Sequence, residues 1–217
     1  MNQQPHQSQP VIAAGRPLAE APAAMVMIHG RGASAESILE LAAEFDRPEF
    51  AFLAPQAAGN TWYPQRFIAP LASNEPFLSS ALARVGQTLQ QVAAGGIPPE
   101  QTILLGFSQG ACLALEFAAR NARRYGGVIA LSGGLIGPDG TPRTYPGSLA
   151  GTPVFIGCSD VDFHIPVERV YHSAEVVAGL GGNVTQRIYP GMGHTVNQDE
   201  IDFVKELMAQ LAAAEQR

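Results

Sequence analysis

The stretch Leu105-Gly106-Phe107-Ser108-Gln109-Gly110-Ala111 sets a serine between two glycines, where the aliphatic run "QTILLGF" (101–107) gives way to the helical pattern "SQGACLALEFAARNARRYGG" ending at Gly126-Gly127. A strand, a tight turn and a helix in that order lift the Ser108 hydroxyl above the sheet. They also set the backbone N–H of Gln109 at a helix N-terminus, where an oxyanion would be held. Small residues are needed two positions either side, because a Cβ there would meet the neighbouring strand and helix; Gly106 and Gly110 fit that need. The alternative is that Ser108 merely caps the helix.

Outward from this turn the same alternation repeats. "PVIAAGRPL" (10–18) reads as a short edge strand and "APAAMVMIHG" (21–30) as a central one, its apolar run lacking the alternation of a half-exposed strand. Ser34 is an N-cap for a helix through "AESILELAAEF", on which Ile38, Leu39, Ala42 and Phe45 share a face. "FAFLAPQ" (50–56) is a buried strand, and a helix is expected from Phe77 to Ala94, with Glu75 near its positive end. Further strands fall at 128–134, 152–160 and 183–191, with helices over 167–182 and 197–216. Strands alternating with helices predict an α/β fold with a mostly parallel sheet covered on both faces, whose ligand site lies at the carboxyl ends of the strands.

The chain's 217 residues suit one domain with one core over 1–217, residues 1–9 forming a flexible leader. A hydrophobic share of 46% against 15% charged excludes disorder and coiled coil. A net charge of −6, with no basic cluster longer than Arg123-Arg124, argues against nucleic acid. The apolar runs are far short of the roughly 20 residues a membrane span needs, so no stable membrane insertion is expected. "MNQQPHQSQP" lacks the regions of a signal peptide, which points to the cytoplasm. The two cysteines, Cys112 and Cys158, read as buried free thiols. No metal site is indicated, since CxxC and HExxH are missing and the five histidines are dispersed.

Three more strand ends carry chemistry-bearing residues. "HGRGA" (29–33) offers a second backbone donor, the N–H of Arg31, beside that of Gln109. His29 is a weaker choice of base, since the loop needs it as scaffold. "GCSDVDFHIP" (157–166) supplies a carboxylate to orient a histidine, from Asp162 or, as second choice, Asp160. "YPGMGHTV" (189–196) carries His194, the best-placed base in the chain. Ser, Asp, His is the chain order in which α/β-hydrolases assemble a triad.

"HGRGAS", "GFSQGA", "SGG", the "D-x-D-x-x-I-P" segment and "YPGMGH" together resemble the phospholipase/carboxylesterase family, over roughly residues 23–212. The resemblance implies an α/β-hydrolase fold with minimal or no lid, acting on carboxylic esters or thioesters without a cofactor. It also implies Ser108 as nucleophile, His194 as base and Asp162 as acid. Phe163 departs from the family pattern, which often has proline there. "HGRG", in place of the thioesterases' "HGLG", aligns the chain with the bacterial esterase branch, so protein depalmitoylation is not carried over. The Arg31 side chain is a candidate contact for a polar or acidic substrate group.

The segment 57–76, rich in Pro, Gly, Asn and aromatics, is expected to contribute to a substrate site. Trp62, Tyr63 and Phe67, with Pro64 and Ile68, are its candidate lining, and Leu135, Ile136 and Met192 are further apolar candidates on strand-end loops. The expected partner is a small-molecule ester. Exposed edge strands and apolar loops make a homodimer the expected oligomer. A thioesterase or lysophospholipase with the same residues, and a noncatalytic hydrolase-fold binding protein, are the competing readings.

Overall fold

A computed structural model describes residues 4–214. Its seven strands are β1 (Val11–Gly15), β2 (Ala23–Ile28), β3 (Phe50–Pro55), β4 (Thr102–Phe107), β5 (Gly127–Leu131), β6 (Pro153–Ser159) and β7 (Asn183–Tyr189). They form one sheet in the order β1-β3-β2-β4-β5-β6-β7. Only the β1–β3 pairing is antiparallel, Val11 lying opposite Pro55; the other five are parallel. A parallel connection needs a crossover, and the helices α1 (Ala35–Phe45), α2 (Phe77–Ala94), α3 (Gln109–Arg120), α4 (Val167–Gly179) and α5 (Gln198–Ala214) supply them or flank the sheet.

The unbroken apolar strands have a simple cause. In β2, Ala24, Val26 and Ile28 face a core shared with α2, α3 and α4. Ala23, Met25 and Met27 face a second core shared with α1 and α5. Successive side chains of a strand point to opposite faces, so a sheet covered on both sides needs apolar residues at every position. Among the described residues no helix is long and apolar enough to cross a membrane.

Two local expectations differ from the structure. The helix after Ser108 stops at Arg120, six residues before Gly126. Both the backbone N–H and the side-chain amide of Asn121 donate to the Phe117 carbonyl, and the buried Tyr125 hydroxyl donates to the Asn121 carbonyl, which turns the chain away. The helix expected over 167–182 ends at Gly179, where Gly181 takes a positive φ. The end expected at 216 for the last helix lies outside the described residues.

The leader is not a free tail over residues 4–9. His6 is fully buried: its Nε2 bonds the Trp62 carbonyl at 2.9 Å, its Nδ1 accepts from Ala58 N–H at 3.0 Å, and its backbone N–H donates to Ser80 Oγ. Burial, the largest influence, holds the His6 pKa below its ordinary value. Residues 1–3 lie outside the described residues. Cys112 and Cys158 are free and buried, and burial pushes both thiols up to about 12, so neither is a ready thiolate near neutrality.

Candidate active site

The carboxyl ends of β2, β4, β6 and β7 meet at one cleft. Ser108 sits between β4 and α3 with φ 55° and ψ −117°, a backbone conformation that costs a non-glycine residue about 1–3 kcal/mol and persists only where its surroundings hold it. Its N–H donates to the Leu131 carbonyl at 2.9 Å, and its carbonyl accepts from Cys112 N–H at 3.0 Å. The Ser108 side chain makes no capping bond. The flanking glycines are sterically required. A Cβ on Gly106 would come within 2.2 Å of the Gly110 carbonyl oxygen, and one on Gly110 within 2.0 Å of the Ile28 carbonyl oxygen.

Ser108 Oγ lies 2.8 Å from His194 Nε2, and His194 Nδ1 lies 2.6 Å from Asp162 Oδ2. The other Asp162 oxygen accepts from the backbone N–H groups of His164 (2.8 Å) and Ile165 (3.1 Å). Burial works to raise the Asp162 pKa, but the bonds from His194 and the two N–H groups outweigh it, so the carboxyl titrates below its ordinary value and stays ionised near neutrality. Asp160 has a different partner: its exposed carboxylate accepts from Gly191 N–H at 2.8 Å, across the turn that leads to His194. Ser159 Oγ accepts from Val161 N–H and Gly193 N–H, tying the Asp162 and His194 loops together.

The backbone N–H groups of Arg31 and Gln109 have no hydrogen-bond partner among the described residues. Both residues line the cleft with Gly30 and Ser108, and a Cβ on Gly30 would be 3.4 Å from that of Ser108. His29 takes no part in the cleft. It is fully buried, its Nδ1 bonds the Gly30 carbonyl at 2.7 Å, and its Nε2 accepts from Ala57 N–H. That leaves both ring nitrogens occupied in scaffolding.

The cleft has a volume of about 570 Å³, within the range of small-molecule sites. The phospholipase/carboxylesterase family model matches residues 8–212. The chain belongs to that family. A solved phospholipase/carboxylesterase from Dyadobacter fermentans is 46% identical, with a TM-score of 0.90, over 93% of this chain and 97% of the other. Among curated relatives, acyl-protein thioesterase 1 of Gibberella zeae is 33% identical over 126 residues, 55% of this chain and 52% of its own length. The enzyme of the same name from Saccharomyces cerevisiae is 31% identical over 146 residues, 63% of this chain and 62% of its own. The chain thus spans about half to under two thirds of the length of these curated relatives.

Within this family member, the wall of the cleft differs from the sequence expectation. Phe67 lines it, as do Pro64 and Tyr63, although Tyr63 is almost wholly buried. Trp62 does not: its ring is fully buried against His29 and its Nε1–H donates to the His29 carbonyl at 2.9 Å. An indole in a core needs a partner for its one donor, and the scaffold carbonyl supplies it. Leu135 and Ile136 are also fully buried, their backbone N–H groups bonded to Ser173 Oγ and Glu116. Met192 turns toward the start of α5, where its sulfur accepts from Asn197 Nδ2. Ile68 borders a separate hollow beside Pro138 and Arg169.

Side chains join this wall to the two N–H donors. The Gln109 amide accepts from Trp62 N–H and donates to the Tyr63 carbonyl, both at 2.9 Å. The Arg31 guanidinium donates to the carbonyls of Tyr63, Pro64 and Gln65. Arg31 is therefore chiefly a clamp on the wall, a role its position in "HGRG" does not reveal. Asn74, buried, holds the far side of the same loop through Gln65 N–H and the Arg66 carbonyl. Arg66, His164, Ile165, Phe107 and the largely exposed Phe163 complete the cleft. The sequence pattern does not single out Arg66 or His164, because each reaches the site through the path of a loop, whereas Phe107 closes β4 beside Ser108 and Ile165 stands in the segment that carries the acid.

Proposed function

We propose that this chain is a serine carboxylesterase that hydrolyses short- to medium-chain carboxylic esters through an acyl-enzyme on Ser108. The observation that carries the reading is the continuous hydrogen-bonded run from Ser108 Oγ through His194 to the ionised Asp162. With Nδ1–H donated to Asp162, the His194 Nε2 lone pair is free to take the Ser108 proton as the oxygen attacks an acyl carbonyl. Asp162 stabilises the imidazolium without itself being protonated. The N–H groups of Arg31 and Gln109 receive the oxyanion, each such donor contributing about 2.7–4 kcal/mol in comparable sites. His194 then protonates the leaving alcohol, and water repeats the sequence to free the acid. The reading includes a cytoplasmic location.

The names of the Gibberella zeae and Saccharomyces cerevisiae relatives favour a second reading, in which the same residues cleave a thioester. A p-nitrophenyl ester series from acetate to palmitate, run beside thioesters of matched length on wild type and Ser108→Ala, tests both. The expected result is turnover of short and medium esters by wild type and a loss on the order of 10⁶-fold in the variant. Equal rates in the two proteins would sink the reading. A higher kcat/KM for the thioester of each pair would shift it to a thioesterase.

A further inference from the structure

The charges along the cleft run against those of the whole chain. The protein carries a net charge of −6, yet the residues lining the cleft include Arg31 and Arg66 and no aspartate or glutamate. Among the described residues neither Arg31 nor Arg66 forms an ion pair; the five arginines that do are Arg47, Arg120, Arg143, Arg169 and Arg187. Arg31 directs three hydrogen bonds to neutral carbonyls, which satisfies part of its fork and leaves the charge uncompensated. Arg66 makes one long bond, 3.5 Å, to the His164 carbonyl, and its head is exposed at the rim. The groups converge. Burial first, then His194, and then Arg66 and Arg31 depress the His164 pKa, while Asp162 opposes them.

Two guanidiniums with spare donors, no ion-pair partner and no carboxylate among the residues lining the cleft form a site for an oxyanion, the nearby Asp162 being already engaged by His194 and two backbone N–H groups. Resting on the esterase reading above, we propose that the preferred substrate is an ester bearing a second, anionic group, a carboxylate or a phosphate, held at the Arg31–Arg66 rim while the ester carbonyl lies at Ser108. A local cationic rim on an acidic protein selects for such a group at short range, where the field of the nearest charges outweighs the net charge. Arg31 is fixed by its carbonyls and supplies position, whereas Arg66 is free to close on the anion.

The test uses two matched pairs on the full chain: monoethyl glutarate against ethyl pentanoate, and 1-butyrylglycerol 3-phosphate against 1-butyrylglycerol. The measured quantity is the anionic-to-neutral ratio of kcat/KM. At least one pair is expected to favour the anion by about fivefold or more, two partly exposed ion pairs each contributing a factor of a few. The pair that does so identifies the group as carboxylate or phosphate. That ratio should fall toward one in Arg66→Gln, be kept in Arg66→Lys, and shrink as salt is raised, none of which a purely structural role of Arg66 would produce. Turnover of both neutral esters without gain from the anion overturns the assignment and leaves the esterase reading standing. Turnover of no ester overturns the esterase reading and this assignment with it.

Discussion

The serine turn at residues 106–110 and the loop at residues 62–67, whose residues from Tyr63 onward form the wall, border the same cleft, yet they are built on opposite principles. The turn is a backbone device: positive φ at Ser108, glycines at the two points of closest approach, and a helix starting at once. The wall has little regular structure and is held by side chains that arrive from Arg31, Gln109, Asn74 and His6. A backbone device shows in local sequence, because only certain residues can adopt it. A loop held by distant side chains does not, because its residues do not specify what will hold them.

The sharpest way to break the comparison lies in the two loops facing the turn, where one aspartate reaches His194 and its neighbour does not. Asp162→Asn should lower kcat on the order of 10³–10⁴-fold by disfavouring the tautomer that leaves Nε2 free. Asp160→Asn keeps an oxygen for Gly191 N–H and should cost less than about tenfold, a typical hydrogen-bond difference. Equal losses in kcat would dissolve the distinction between them.

On the turn itself, Gly110→Ala places a methyl within 2.0 Å of the Ile28 carbonyl oxygen. A backbone cannot yield as a flexible side chain does, so a loss of about 3 kcal/mol or more is expected, seen as a fall of roughly 10 °C in Tm. A Tm within a degree or two of wild type would mean the turn tolerates what its geometry forbids.

For the wall, Arg31→Met removes three bonds to its carbonyls and should reduce kcat/KM by about tenfold to a hundredfold, since small displacements of a positioned donor carry costs of that size. Affinity for a boronic acid mimicking the tetrahedral intermediate should fall in parallel. Unchanged affinity with raised KM would assign Arg31 to ground-state binding alone.

Glu200 offers a pH-dependent version of the contrast. It closes a reciprocal cap with Asn197 at the start of α5, directly after the His194 loop, and one carboxylate oxygen is buried without a partner against Gly157. Burial raises its pKa to about 7. The folded state then holds a proton that the unfolded chain, titrating at 4.5, has released, so stability falls as pH rises from 4.5 through 7. Glu200→Gln should remove this slope and be more stable than wild type at pH 8 by about 2 kcal/mol, read from urea unfolding at pH 5 and pH 8. Parallel pH profiles would exclude this origin. The smallest effect belongs to Trp62→Phe, which loses the bond to the His29 carbonyl and should cost about 1 kcal/mol while leaving the chain-length optimum in place. A shifted optimum would return Trp62 to the pocket.

Composition, the apolar strands and the glycine spacing at 106–110 were enough to determine an α/β sheet covered on both faces, the strand ends that meet at the cleft, and Ser108, His194 and an acid from Asp162 or Asp160 as the residues to bring together. Each depends on local rules: periodicity, turn sterics, and chain order along a parallel sheet. What only the tertiary structure decided is which aspartate faces His194, that Trp62, Leu135 and Met192 turn away from the cleft, and that Arg31 clamps the wall. The folded leader at His6 belongs with them. The physical reason is the same in each case. A loop side chain has several directions open to it, and the choice falls to whichever distant donor, acceptor or cavity the completed fold presents.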